Sequence, residues 1–386
     1  MAYQNVGQPR IYLNLLPYFQ QLGIISEFQM YNYPEFNNFG DVEININLNP
    51  QKINRIPGMP FDDTYVSQII KFNKNIYFND GSNTHIDPNK VWCGVFGHNM
   101  HSVSTIGLES SQGMNFELVG SKEGSQDSGI TYADDFALNF ENISSRMEYD
   151  GFSILNVKPS EESWDEISFK FQSLTGDAVA AFLPYFYTGS VAWGEYYDFP
   201  NTPDLNINMS IEYEGVKTIK TKGGASISNS NYTGNPMWGD LPAWNNAILD
   251  DLLGDTPEDG YKMNSTLPLR SGRRVWNLKF SYLEDINVLP INASESTNYS
   301  ASDNYSTDYL NYNSQEFTRS IINSPDFFSS VFNKTLGSHI PFVFQIDKDN
   351  FNSDQFAICR FNMDSYTCNK VANNVYDISL QIEEVW

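Results

Sequence analysis

From Leu205 to Tyr213 the side chains alternate without a break: Leu205, Ile207, Met209, Ile211 and Tyr213 are apolar, while Asn206, Asn208, Ser210 and Glu212 are polar. That period of two belongs to a strand, and it predicts one buried and one wet face. Gly215 then turns the chain, and Val216, Thr218 and Ile219 read as the return strand. Gly223-Gly224 opens a polar loop that ends on Pro236 and Trp238. Beyond an acidic insert, Val275, Leu278, Phe280 and Tyr282 mark the inward positions of another strand. The same alternation recurs at Val42, Ile44, Ile46 and Leu48, and again from Val375 to Ile382. A chain patterned this way is a rigid β platform.

Between 61 and 200 the apolar runs are short: Ile76–Phe78, Val91–Phe96, Ser102–Leu108, Met114–Val119, Ile154–Val157, Ile167–Phe171 and Val179–Phe186. Gly, Asn, Asp and Ser clusters separate them, the spacing of a β-sandwich. The fold class expected is therefore mainly β. Residues 1–60 read as an N-terminal arm and strand, 61–200 as a β-sandwich, and 201–386 as a second β-rich domain with a few short helices. Pro17 suits the first turn of a helix that Gly23 would end. Asn245–Asp255 reads as a short amphipathic helix. Ser324-Pro325 reads as the cap and first turn of another, with Phe327, Phe328, Val331 and Phe332 on one face. The tract Asn292–Ser314 has no apolar period, so burial within its own chain cannot order it, and it is expected to lie against another chain.

Charge narrows the partners. The 386 residues carry a formal charge of −24, with no visible basic stripe, which excludes a nucleic-acid partner and an anionic membrane surface. No apolar run is long enough for membrane insertion, and no secretion signal opens the chain. It is expected to be made in a cytoplasm. Cys93, Cys359 and Cys368 are too few and odd in number for a disulfide framework. Cys359 and Cys368 sit where neighbouring strands would bring them close; buried thiols are the expectation. Sequons at Asn142, Asn231, Asn298 and Asn304 are what an Asn-rich chain yields by chance.

The four histidines, His85, His98, His101 and His339, suggest no activated nucleophile and no closed metal set. His98 and His101 fall in a turn-and-strand region with no third ligand. Adjacent acids at Asp134-Asp135, Glu161-Glu162, Asp250-Asp251 and Glu284-Asp285 read as solvated loop charges. Asp347, Asp349, Asn350, Asn352 and Asp354 place oxygens as a Ca²⁺ loop does, but without its glycine or terminal Glu, so a polar hairpin connection is expected. No enzyme, cofactor or metal is expected. Arg270, Arg273 and Arg274 are candidates for pairing with carboxylates of a neighbouring subunit or with carbonyls at a sheet end. Tyr299, Tyr305 and Tyr309 are candidate inter-subunit contacts. Tyr187, Trp193, Tyr196 and Tyr197 are candidate glycan-stacking aromatics, although core positions suit them as well.

Three stretches carry a resemblance. They are PDLNINMSIEYEGVKTIKTKGGASISN with SGRRVWNLKFSYL, VWCGVFGHN at Val91–Asn99, and PFVFQIDKDNFNSDQFAICRFNMDSYTCNKVANNVYDISLQIEEVW at the end. Together they resemble virion structural proteins of tailed bacteriophages, of the tail or baseplate type. Val91–Asn99, Gly151–Ile154 and Gly189–Gly194 also resemble a galactose-binding-like jelly roll, which implies a fold more than a ligand. The resemblance implies localisation in a virion and a symmetric homo-oligomer. Its partners would be further copies and neighbouring virion proteins, with a host surface glycan as the alternative ligand and a polysaccharide-degrading enzyme as the weaker one. No catalytic residue carries over.

Overall fold

The computed structural model describes residues 7–33, 44–49, 52, 54–57, 65–78, 85–98, 100, 114–121, 137–138, 151–159, 162–173, 185–205, 207–212, 216–230, 273–290, 325–352, 355–363 and 365–385. The expected strand at Ser102–Leu108, the helix at Asn245–Asp255 and the tract Asn292–Ser314 lie outside the described residues, as do Arg270, Tyr299, Tyr305 and Tyr309.

The chain begins with β1 (Arg10–Tyr12), helix α1 (Leu15–Gln21) and β2 (Ile25–Tyr33). Next come β3 (Asn54–Pro57), β4 (Tyr65–Phe78), β5 (His85–Ile86), β6 (Val91–His98) and β7 (Met114–Ser121). They are followed by β8 (Ala137–Leu138), β9 (Gly151–Val157), β10 (Ser163–Ser173), β11 (Tyr185–Thr188) and β12 (Ser190–Asp198). The second half holds β13 (Asn208–Glu212), β14 (Val216–Lys220), β15 (Ser226–Ser230), β16 (Arg273–Glu284) and the single turn α2 (Asp285–Val288). A π-helical turn at Phe328–Phe332 leads into β17 (Phe342–Gln345), β18 (Phe356–Phe361), β19 (Cys368–Ala372) and β20 (Val375–Glu384).

Eleven strands form one sheet in the order β13-β16-β20-β18-β17-β1-β12-β6-β9-β8, with β19 beside β20. A second, five-stranded sheet runs β2-β4-β10-β7, with β5 alongside β4. The large sheet crosses both boundaries expected from composition, at 60/61 and at 200/201. Strand β1 lies between β12 and β17, with Ile11 opposite Tyr197 on one side and Phe344 on the other. The described start of the expected arm is thus a central strand of its own chain, because Ile11 and Tyr12 bury completely only when flanked on both sides.

The two sheets are held face to face by aromatic rings. Trp193 of β12 lies 6.1 Å from Trp164 of β10 and 6.5 Å from Phe72 of β4, and Phe19 of α1 closes the group at 6.4 Å. Trp164 also meets Phe78 edge-on at 4.9 Å. This is a β-sandwich core, dense with rings that allow no slack. Gly120 of β7 marks how tight the seam is, since a Cβ there would overlap the Trp164 indole. Gly120→Ala is expected to cost about 1–3 kcal/mol by overpacking. Chemical denaturation checks this, and a change near zero would mean the indole can move aside.

Local structure follows the patterning in some places and departs from it in others. Asn14 caps α1 by accepting the Leu16 N–H, and Gly23 ends it in the left-handed region at φ 67°. Ile44, Ile46 and Leu48 are buried as the alternation implies, yet they form no regular strand beyond a single bridge from Asn45 to Ser190. Their asparagines explain this. Asn45 accepts the Asn47 N–H and donates to the Asn49 carbonyl, satisfying the backbone locally. The π-helical turn is capped by Asp326, which accepts the Ser329 N–H.

The reading of residues 205–219 needs two corrections. β13 pairs with β16, and β14 pairs with β15 instead of returning along β13. Leu205, Met209 and Ile211 are exposed. β13 ends the large sheet's path, so its apolar side has no layer to bury against. In β16 the inward position expected for Tyr282 belongs to Leu283, because a bulge between Phe280 and Leu283 shifts the register by one.

Candidate functional site

Among the described residues, His98, Cys93 and Cys359 are locked inside the sandwich, while His339 is exposed. His98 at the end of β6 is buried, its Nε2 2.8 Å from Ser153 Oγ, while its Nδ1 faces the Met100 N–H at 3.4 Å. With Nδ1 accepting, Nε2 carries the proton and donates to the serine. That is the opposite polarity to a general base activating a nucleophile. Cys93 and Cys359 are buried free thiols, and burial pushes both well above the usual thiol range. Cys368 is a free, half-buried thiol. Among the described residues no group of three or more His, Cys, Asp or Glu side chains is placed to hold a metal ion. The segment after β17 is a polar connection, as expected: Asp347 accepts the Asp349 N–H and Asn350 accepts the Asn352 N–H, both at 3.1 Å.

Of the candidate contact residues, Arg274 is engaged by its own chain. Arg274, expected at a subunit boundary, is only 5% exposed. Its Nε lies 3.3 Å from Glu384 Oε2, its Nη2 donates to the Phe356 carbonyl at 3.0 Å, and its guanidinium rests 4.9 Å above the Trp276 ring. The same carboxylate oxygen accepts the Arg274 backbone N–H at 2.8 Å. The carboxylate and carbonyl partners foreseen for this arginine are therefore intramolecular. Arg273, the next residue on β16, is half-buried.

The glycan-stacking aromatics fare similarly. Trp193 is fully buried between the two sheets, and Tyr197 is packed against Phe199 and Phe327. Tyr196 points to the opposite face of β12, where Arg10 covers its ring at 4.1 Å and its hydroxyl donates to the Asn89 carbonyl. Arg10 is fixed there by a two-point contact with Asp198, at 2.6 and 3.0 Å. Trp193 and Tyr197 present no open ring face to a sugar, and Arg10 covers one face of the half-buried Tyr196 ring. Tyr187 lies on β11 opposite Arg55, and its side chain is outside the described set.

The surface that stands apart is the β14–β15 hairpin. It forms a two-stranded sheet of its own, and every residue from Thr218 to Ser228 is exposed. Thr221 and Gly224, at φ 84°, make its turn. Ile219 and Ile227 sit directly opposite each other, 56% and 58% exposed. An isolated hairpin with two bare isoleucines is marginal in water, and such apolar pairs mark interaction surfaces. The hairpin also carries Lys217, Lys220 and Lys222, with no Asp or Glu between Val216 and Ser230. The sequence reading passed over this cluster because it weighed Arg270, Arg273 and Arg274 as the basic group. The signal was legible as three lysines in six residues of an otherwise acidic chain.

Comparison with known protein families, with curated proteins and with solved structures finds no match to this chain.

Proposed function

We propose that this protein is a structural component of a tailed phage particle, of the tail or baseplate type, assembling with further copies of itself through the β14–β15 hairpin. The hairpin carries the reading: an exposed, basic element with paired isoleucines on a chain of net charge −24. Such an element is complementary to the acidic surface of a second copy. Charge brings the two together, and burial of Ile219 and Ile227 holds them. Met209 and Ile211, exposed on β13, add a second apolar surface. The motif resemblance supplies the virion context, and the buried histidine, serine and thiols leave a geometric role as the simplest one.

The test is the mass of the full chain in solution by light scattering after size exclusion. The expected result is a discrete homo-oligomer that Ile219→Asp with Ile227→Asp converts to a folded monomer, its β circular dichroism retained because both side chains are exposed. A monomeric wild type at high micromolar concentration, or an oligomer indifferent to the double substitution, would overturn the proposal.

A further inference from the structure

On the face of the large sheet that carries Lys279, the strands β13, β16 and β20 form the floor of an open groove of about 770 Å³. Asn208 lies opposite Asn277, and Asn277 lies opposite Gln381, so three amides stand in one row across three strands. Adjacent strands are about 4.8 Å apart, and the row therefore spans about 10 Å. Among the described residues none of these three side chains is hydrogen-bonded to the chain. Met363, Thr367 and Ile207 line the groove beside them.

The groove is electrically quiet. Lys279 binds Asp377 at 3.1 Å and Asp204 at 3.9 Å, and Asp204 also accepts the Ser281 hydroxyl. The hydrogen bond and charge of Asp377 raise the Lys279 ammonium above its ordinary range, so this cation is matched within the chain. Both carboxylates share this one ammonium, so an anionic ligand meets no unmatched cation here.

Tyr282 is a second, independent observation beside this face. Its ring is 79% exposed and its backbone is held at φ 60°, a region bulky residues rarely enter. The bulge keeps it there, with the Tyr282 N–H donating to Asp377 Oδ1. Regular alternation would have put this tyrosine inside; the bulge instead turns its ring outward, on the strand that also carries Lys279. Tyr282 lies outside the groove's lining, farther along the strand that forms its floor, and strained positions of this kind cluster at functional sites.

We propose that this groove binds a neutral oligosaccharide. Each amide offers both donors and acceptors, which suits hydroxyls that also do both. The repeat of the row, one amide per strand, is close to the repeat of pyranose rings along a linear chain. Met363 and Ile207 in the groove, and Tyr282 beyond its end, offer the apolar contacts that the C–H faces of sugars require. The site is separate from the β14–β15 hairpin and does not depend on assembly.

The experiment exposes the full chain to an array of neutral and acidic oligosaccharides. Calorimetry then follows with the neutral oligosaccharide that gives the highest signal. Binding is expected, weakened at least about tenfold by Asn277→Ala with Gln381→Ala and again by Tyr282→Gly, which keeps the backbone relaxed. Melting temperatures should not fall, since none of these side chains is bonded within the fold. The hairpin double variant Ile219→Asp, Ile227→Asp should bind as the wild type does, which separates this claim from the assembly claim. No neutral oligosaccharide bound at millimolar concentration, binding confined to acidic saccharides, or binding that survives the groove substitutions would overturn it.

Discussion

Trp193→Ala is expected to lower the stability of the fold by about 3–5 kcal/mol, the usual cost of deleting a large buried ring. Trp193 touches Phe19, Phe72 and Trp164, so the lost indole removes contacts from α1 and from both sheets at once. Neighbouring rings are too stiff to fill the space, so the cavity term adds to the transfer term. Denaturant unfolding measures it. A loss below about 1 kcal/mol would mean that Trp193 does not join the two sheets and would reopen its reading as a ligand-stacking ring.

Arg274→Ala is expected to cost about 3–5 kcal/mol, because it strips a buried carboxylate of a cation. Glu384 is 0% exposed and accepts from both the backbone and the side chain of Arg274. Removing both charges together should hurt less: Arg274→Met with Glu384→Gln keeps an acceptor for the Arg274 N–H and leaves no lone buried ion. The double-mutant cycle reads the coupling directly. Additive losses in the cycle would show that the two side chains act independently. The pair joins β16 to the last residue of β20 at a point where β18 also meets β20, so it fixes the register of three strands.

How much of this was legible in the sequence depends on whether a pattern needed a distant partner to be interpreted. Val375–Ile382 and Val91–Phe96 are strands because their composition leaves no alternative, and both are in the large sheet. Pro17 and Gly23 placed α1 because helix starts and stops are local chemistry, whereas the Asn14 cap came only with the structure. Alternation from Leu205 to Ile211 specified a strand but not a cover for its apolar side, and an edge position left Met209 and Ile211 exposed. Tyr282 fell to a single extra residue in β16, which no periodicity announces. The position of β1 was illegible for a different reason. Three residues have no period, and their place between β12 and β17 is decided by strands about 190 and 330 residues away. Site residues are the least legible part of a sequence, because an aromatic cluster such as Trp193, Tyr196 and Tyr197 has the same composition whether it faces a core or a ligand. The amide row of Asn208, Asn277 and Gln381 becomes a row only once three strands are in register.

The central claim is that the hairpin of one copy meets the acidic surface of another. Zero-length carbodiimide coupling, which joins amines to carboxylates in contact, tests it on an equal mixture of isotopically light and heavy chain. The account predicts mixed-isotope peptides in which Lys220 or Lys222 of one copy is joined to an Asp or Glu of the other, lost when Ile219→Asp and Ile227→Asp are introduced. Lysines of the hairpin coupled within single copies alone, or not coupled at all, would contradict it.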